Sequence, residues 1–225
     1  MPCHALAGHG PATKSNGPAS YHRPVSIPGR VEAAAILLSL DPPAWFVRHS
    51  RAVAEVAGWL GRRIAASGIS IDRSLVDAAA LLHDVDKVLP ADDPARRLPH
   101  GDGSADWLTR RGHPELARAV ANHPVTRLGD EERYRRWAAF ASREERIVAY
   151  ADKRAMQRLV PLPARFARWE RRHGDGWDER TRRLVRARAE RLEADVCQAA
   201  GVRPDEVRRL SWTGRALRHA RAIGG

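Results

Sequence analysis

Leu75-Val76-Asp77-Ala78-Ala79-Ala80-Leu81-Leu82-His83-Asp84-Val85-Asp86-Lys87 starts as an apolar helix and ends in a run of ionisable groups. Leu75, Ala78, Ala79, Leu82 and His83 recur at the three- and four-residue spacing of one helix face, and Asp72 stands in front as an N-cap. That pattern carries His83 and Asp84 to the end of a buried helix. Upstream, Trp45, Phe46, His49, Ala52, Val53, Val56 and Leu60 follow the same spacing behind Pro42-Pro43, which turns His49 inward. Downstream, Ser142-Arg143-Glu144-Glu145 reads as a capping box that opens a helix with Ile147, Val148, Ala151, Asp152 and Ala155 on its inner side. Asp152 is thus a carboxylate on an apolar stripe.

Between these helices a loop with Pro90, Pro94 and Pro99 leads to two short predicted helices, over about 104–111 and 114–123. Gly112 is the C-cap between them, and Pro114 takes a first helical position. Leu116, Ala119, Val120 and His123 share a face of the second. Further helices are expected over about 162–172 and 178–200, the latter amphipathic through Val185, Ala189, Leu192 and Val196. With no alternating β run of useful length and no repeat period, the expected fold class is all-α.

Length and composition bound the rest. A chain of 225 residues with 43% hydrophobic residues suits one domain with an appendage, which excludes a wholly disordered chain, a collagen and a small disulfide scaffold. Cys3 and Cys197 are too far apart in pattern to suggest a disulfide framework, so a reducing cytoplasm is the expected setting. The longest apolar run, from Ala33 to Leu40, is too short to cross a membrane. Residues 1–30 have no apolar core of a secretory signal and read as a flexible leader. The net charge of +12 is concentrated late: from Lys153 onward there are 19 basic and 9 acidic residues, so the first 152 positions are nearly neutral.

An ionised carboxylate buried without a partner costs several kcal/mol. Asp84 and Asp152 therefore need cations or strong donors, and no lysine or arginine falls at a matching inward position of the helical patterns. A divalent metal held by imidazole and carboxylate satisfies His49, His83, Asp84 and Asp152 together, and that ligand set suits zinc, iron, manganese or nickel better than calcium.

In this order and spacing, His49, then His83-Asp84, then Asp152 resemble the H…HD…D signature of the HD superfamily of metal-dependent phosphohydrolases. Leu81 to Lys87 is similar to the family's L-L-H-D-I-G-K, and Arg48-His49-Ser50 and Tyr150-Ala151-Asp152-Lys153 are further matches; the likeness runs from about Trp45 to Gly174. Asp86 departs from the pattern, standing where the family has glycine. The resemblance implies an HD-domain helical bundle with additional C-terminal helices. Residues 31–175 would form the HD domain and 176–225 an Arg-rich helical extension.

The resemblance also implies metal. Family sites hold one ion, or two when two further histidines lie between the HD pair and the last aspartate. His100, His113 and His123 are the candidates; His100 and His123 are preferred, because His113 between Gly112 and Pro114 reads as a solvent-facing turn residue. The implied cofactor is a divalent ion, iron, manganese, zinc, nickel or magnesium, present as a pair bridged by Asp84. His49, His83 and Asp152 would serve one ion, and His100 and His123 the other. The implied activity is hydrolysis of a phosphoester or phosphoanhydride of a nucleotide or other small phosphorylated substrate. Asp84 and Lys87 would be catalytic, Lys87 as a point charge for phosphate, with Arg51 and Arg154 as weaker phosphate candidates. Two rival readings remain at this stage: a di-iron oxygenase of the same superfamily, and a regulatory protein that binds nucleic acid through the late arginines, from Arg165 to Arg172 and from Arg180 to Arg191. The G-Y-P segment of the cyclic-dinucleotide branch is absent.

Overall fold

The computed structural model describes residues 27–173 and 176–224. Most of the expected leader therefore lies outside the described residues, and Arg30, its last member, already opens a helix. Ten α-helices occupy the described residues: α1 Arg30–Leu38, α2 Ala44–Ala66, α3 Arg73–Leu82, α4 Asp102–Arg110, α5 Ala117–Ala121, α6 Glu131–Phe140, α7 Arg143–Lys153, α8 Leu162–His173, α9 Glu179–Ala200 and α10 Thr213–Gly224. No strand is present among them, so the fold is all-α as expected; the one β feature is an isolated bridge between Ala155 and Leu159.

The expected punctuation does its physical work. The Asp72 carboxylate accepts from the backbone N–H groups of Ser74 and Leu75 and starts α3. Ser142 and Glu145 cap α7 reciprocally. Gly112, at φ +86°, ends α4 in the left-handed region that side chains rarely adopt.

The central helix is α2, which packs against α3, α7 and α9 and buries Val53, Val56, Leu60 and Ile64. Alanines 52, 54 and 57 on α2 and 78 to 80 on α3 let these helices approach closely. Gly58 is required there, because a Cβ would lie 2.7 Å from Asp77 Oδ1 and 3.0 Å from Trp212 Nε1. The C-terminal helices belong to the same core: Leu192, Val196 and Cys197 of α9, then Trp212, Ala216 and Leu217, are buried in it, and α10 lies on α1. Val125, Leu128, Leu162, Phe166, Val185 and Ala189 form a smaller second cluster under α8.

Two helical expectations change. The single helix expected over 114–123 is a 3-10 turn, Pro114–Leu116, followed by α5, and His123 falls just beyond it. Helix α6 was not foreseen, because none of its residues is fully buried and its apolar stripe is short, with only Tyr134, Trp137 and Ala138 half-buried; its start is the Asp130 side chain accepting from Arg133 N–H. No helix among the described residues is long and apolar enough to cross a membrane.

Candidate metal centre

Three helices and two turns converge at one end of α2. His49 comes from the first turns of α2, His83 from the C-cap of α3, and Asp84 from the residue after it, where the chain leaves α3 for the 3-10 turn Val85–Lys87. Asp152 is on the last turn of α7. His123 follows α5, and His100 precedes α4, its neighbour Gly101 at φ +88°. All six residues expected from the sequence are brought together.

Their contacts form two adjoining groups. His49 Nε2 lies 3.5 Å from Asp152 Oδ1 and 3.2 Å from His83 Nε2. Asp84 Oδ2 faces His49 Nε2 at 3.3 Å and His83 Nε2 at 3.4 Å. Its other oxygen faces His123 Nε2 at 3.1 Å and His100 Nε2 at 3.2 Å. Asp84 thus stands between both groups.

The opposite ring nitrogens settle what this cluster needs. His49 Nδ1 meets the Met156 carbonyl at 2.5 Å, His83 Nδ1 the Ala80 carbonyl at 2.8 Å and His123 Nδ1 the Val120 carbonyl at 2.5 Å. His100 Nδ1 meets the Asp86 carboxylate at 2.9 Å. A carbonyl or carboxylate only accepts, so each Nδ1 carries the proton, and in the neutral rings each Nε2 presents a lone pair. Four lone pairs then face one another and two carboxylates, with Nε2 to Nε2 separations of 3.2 Å and 3.3 Å. Such an all-acceptor cluster is stable only with protons or cations between its members. This donor set fits divalent metal, and the Nδ1 contacts are of the kind that orient ligating imidazoles.

The protonation of the metal-free site reports the same need. Burial works against charge on His49, but hydrogen bonds to Asp152 and Asp84 outweigh it and lift its pKa to about 9. His100 behaves alike: burial opposes, and contacts with Asp84 and Asp86 raise it to about 9. His123 goes the other way, pushed down to about 4 by burial. Burial also opposes charge on Asp84 and Asp152, yet their cationic and hydrogen-bonding neighbours hold both well below the ordinary carboxylate range.

Several expectations need correction. Lys87 does reach a buried carboxylate: the 3-10 turn carries its Nζ to 2.6 Å from Asp84 Oδ2, a placement no helical projection of the sequence contains. His113, read as a solvent-facing turn residue, is buried and has no part in the cluster; Nδ1 has no partner among the described residues. Arg154 is buried in structural bonds to Tyr150, the Val160 carbonyl, Glu193 and the Pro204 carbonyl. Arg51 pairs with Glu55 on its own helix.

Sequence reasoning noted Asp86 as a departure without assigning it a role, and gave Lys153 none. Asp86 holds His100 Nδ1 and accepts from Gly101 N–H, so its carboxylate orients a cluster member. Lys153 is fully buried; its Nζ donates to the His123 and Ala149 carbonyls, and burial lowers its pKa to about 8. Its rarity as one of three lysines, next to Asp152, was the available signal. Finally, α8 turns back over the cluster. A cavity of about 400 Å³ has Lys87, His100 and Asp152 on one side and Arg165, Arg168 and Arg172 on the other. The six cluster residues all lie in the near-neutral first 152 positions, and the basic later segment adds a wall of the cavity beside them.

An all-helical arrangement with this His/Asp cluster defines a helical domain able to hold divalent metal. The family model of the HD domain matches residues 46–157, and the chain is a member of that family. No curated protein and no solved structure matched the chain.

Proposed function

We propose that this HD protein hydrolyses a phosphoester or phosphoanhydride of a nucleotide or other small phosphorylated substrate, with two divalent ions held by His49, His83, Asp84, His100, His123 and Asp152. The observation that carries the reading is the set of four inward Nε2 lone pairs beside two carboxylates, opening onto a cation-lined cavity. Bound divalent ions supply a water of lowered pKa and charge for phosphoryl oxygens. The chain's own residues do the rest. Asp84, with one oxygen toward each group, keeps the two sets of imidazoles in register. The Met156, Ala80 and Val120 carbonyls and Asp86 hold the rings in one tautomer, so no proton shift is needed before substrate arrives. Lys87 Nζ, bonded to Asp84 and bordering the cavity, has further N–H groups to offer an incoming phosphoryl oxygen. The cationic wall favours an anionic substrate.

The test is metal analysis of the purified chain coupled to a nucleotide and phosphate-ester screen. Phosphate release that depends on added metal and vanishes in Asp84→Ala supports the reading. Iron-bound protein with oxygen-dependent turnover overturns it in favour of the oxygenase, and salt-sensitive nucleic-acid binding without hydrolysis under any metal overturns it in favour of a binding role.

A further inference from the structure

The sequence reading left the arginines of α8 without a place in the site. Arg165, Arg168 and Arg172 are spaced i, i+3 and i+7, which sets them on one face of the helix, and that face lines the cavity. At 1.5 Å per residue the row extends about 10 Å along the helix. Its inner end is at the cluster, since Arg165 lies 3.8 Å from Asp152 Oδ1. Arg165 Nε is also buried without a hydrogen-bond partner among the described residues. The outer two arginines are exposed to the cavity and have no ion-pair partner among the described residues. Neighbouring arginines of the same late segment differ: Arg182 and Arg183 pair with Glu179, Arg186 with Glu170 and Arg188 with Glu131.

The cavity thus concentrates positive charge, of which Arg168 and Arg172 have no ion-pair partner among the described residues, and it does so beyond the reach of one phosphate. A phosphoryl group at the cluster is already met by Lys87 and Arg165. Arg168 and Arg172, one and two helix turns farther out, call for another anion. The same wall carries aromatic surface among the arginines: Trp169 of α8 lies 4.5 Å from Trp177 with their planes at 41°, and Trp177 is packed so closely on Gly129 that a Cβ there would come within 2.9 Å of its ring. A low-dielectric wall beside a guanidinium strengthens its pairing with phosphate.

We infer that Arg168 and Arg172 form a distal phosphate subsite, so that the substrate is a bisphosphorylated or polyphosphorylated small molecule with one phosphate at the cluster and another on α8. The inference rests on the phosphohydrolase reading for the first phosphate, but the second can be measured without turnover.

The full chain, treated with chelator so that nothing is hydrolysed, is titrated calorimetrically with adenosine 5′-monophosphate and with adenosine 3′,5′-bisphosphate. The bisphosphate should bind about tenfold tighter or more. Arg168→Gln/Arg172→Gln should shrink that advantage to about threefold or less, whereas Arg183→Gln, outside the cavity, should retain it. On the metal-loaded chain, the double variant should likewise lower the ratio of kcat/KM between the two substrates. Equal binding of the two ligands by the unaltered chain, or an undiminished advantage in the double variant, overturns the subsite. A binding advantage lost in the double variant supports the subsite even where the whole nucleotide and phosphate-ester screen shows no hydrolysis under any metal, an outcome that overturns the hydrolase reading alone.

Discussion

The His/Asp cluster and the α8 wall face the same cavity, yet they are held in opposite ways. Each imidazole of the cluster is gripped at Nδ1 by a backbone carbonyl or by Asp86, and its helices pack through the main core. The α8 arginines project from a helix that rests on a small separate cluster around Leu162, Phe166 and Val185, and the outer two end in the cavity. The contrast follows from what each region has to do. Ligand atoms must be within a few tenths of an ångström of their positions to hold a metal, which demands a rigid scaffold. A guanidinium that recognises phosphate can adjust its long side chain at little cost. On the proposed reading, chemistry is fixed by the core and recognition is carried by its edge.

The largest effect should come from removing the residue between the two groups. Asp84→Ala should abolish bound metal and turnover together, a loss beyond the roughly 100-fold typical of an outer-contact residue. Metal content and phosphate release measure it, and helical circular dichroism should be kept. Full activity in that variant would sink the proposed site.

Asp86→Asn sharpens the comparison at the rigid side. The amide keeps the shape but loses the charge that fixes His100, so metal affinity should fall by about 10- to 100-fold, read by chelator competition. An unchanged affinity would show that His100 needs no such support.

The pH response should reverse with metal. In the metal-free chain His49 and His100 have folded pKa values of about 9, above the ordinary histidine value of 6.5. Their protonated contacts therefore contribute stability that is complete below about pH 6.5 and lost as pH rises toward 9. Metal binding must displace those protons, so its affinity should rise over the same window. Melting temperature against pH, with and without chelator, should give opposite slopes; parallel slopes would contradict the proposed ligands.

The smallest effect belongs to a residue remote from the cavity. Asp72→Ala removes the N-cap of α3 and should cost about 1 kcal/mol in urea unfolding while sparing metal stoichiometry. A loss of metal there would show that the cluster is less insulated from its scaffold than the packing suggests.

Much of the fold was readable because it is written locally. Asp72, Gly112 and the Ser142/Glu145 box act on backbone groups within three or four residues, so their effect survives any tertiary context. The apolar stripes of α2, α3 and α7 likewise point His49, His83 and Asp152 inward whatever they meet. Helix α6 escaped because only a short, half-buried stripe marks it, and the 114–123 helix broke because it is too short for periodicity to locate its end.

Periodicity says which face is buried but not what lies opposite, and this divides the molecule's determinants. Sequence alone established an all-helical chain with four inward His and Asp side chains, and its likeness to a family established the rest of the expected ligand set. Only the folded structure decided that every Nδ1 of the cluster is occupied, that Asp86 grips His100, that Lys87 swings onto Asp84 and that α8 returns to wall the cavity. Some of these contacts span only three residues, as for His83, His123 and Lys87, but they depend on where each helix ends; the others, His49 on Met156, Asp86 on His100 and α8 on the cavity, follow from the path of the whole chain and not from any repeat along it.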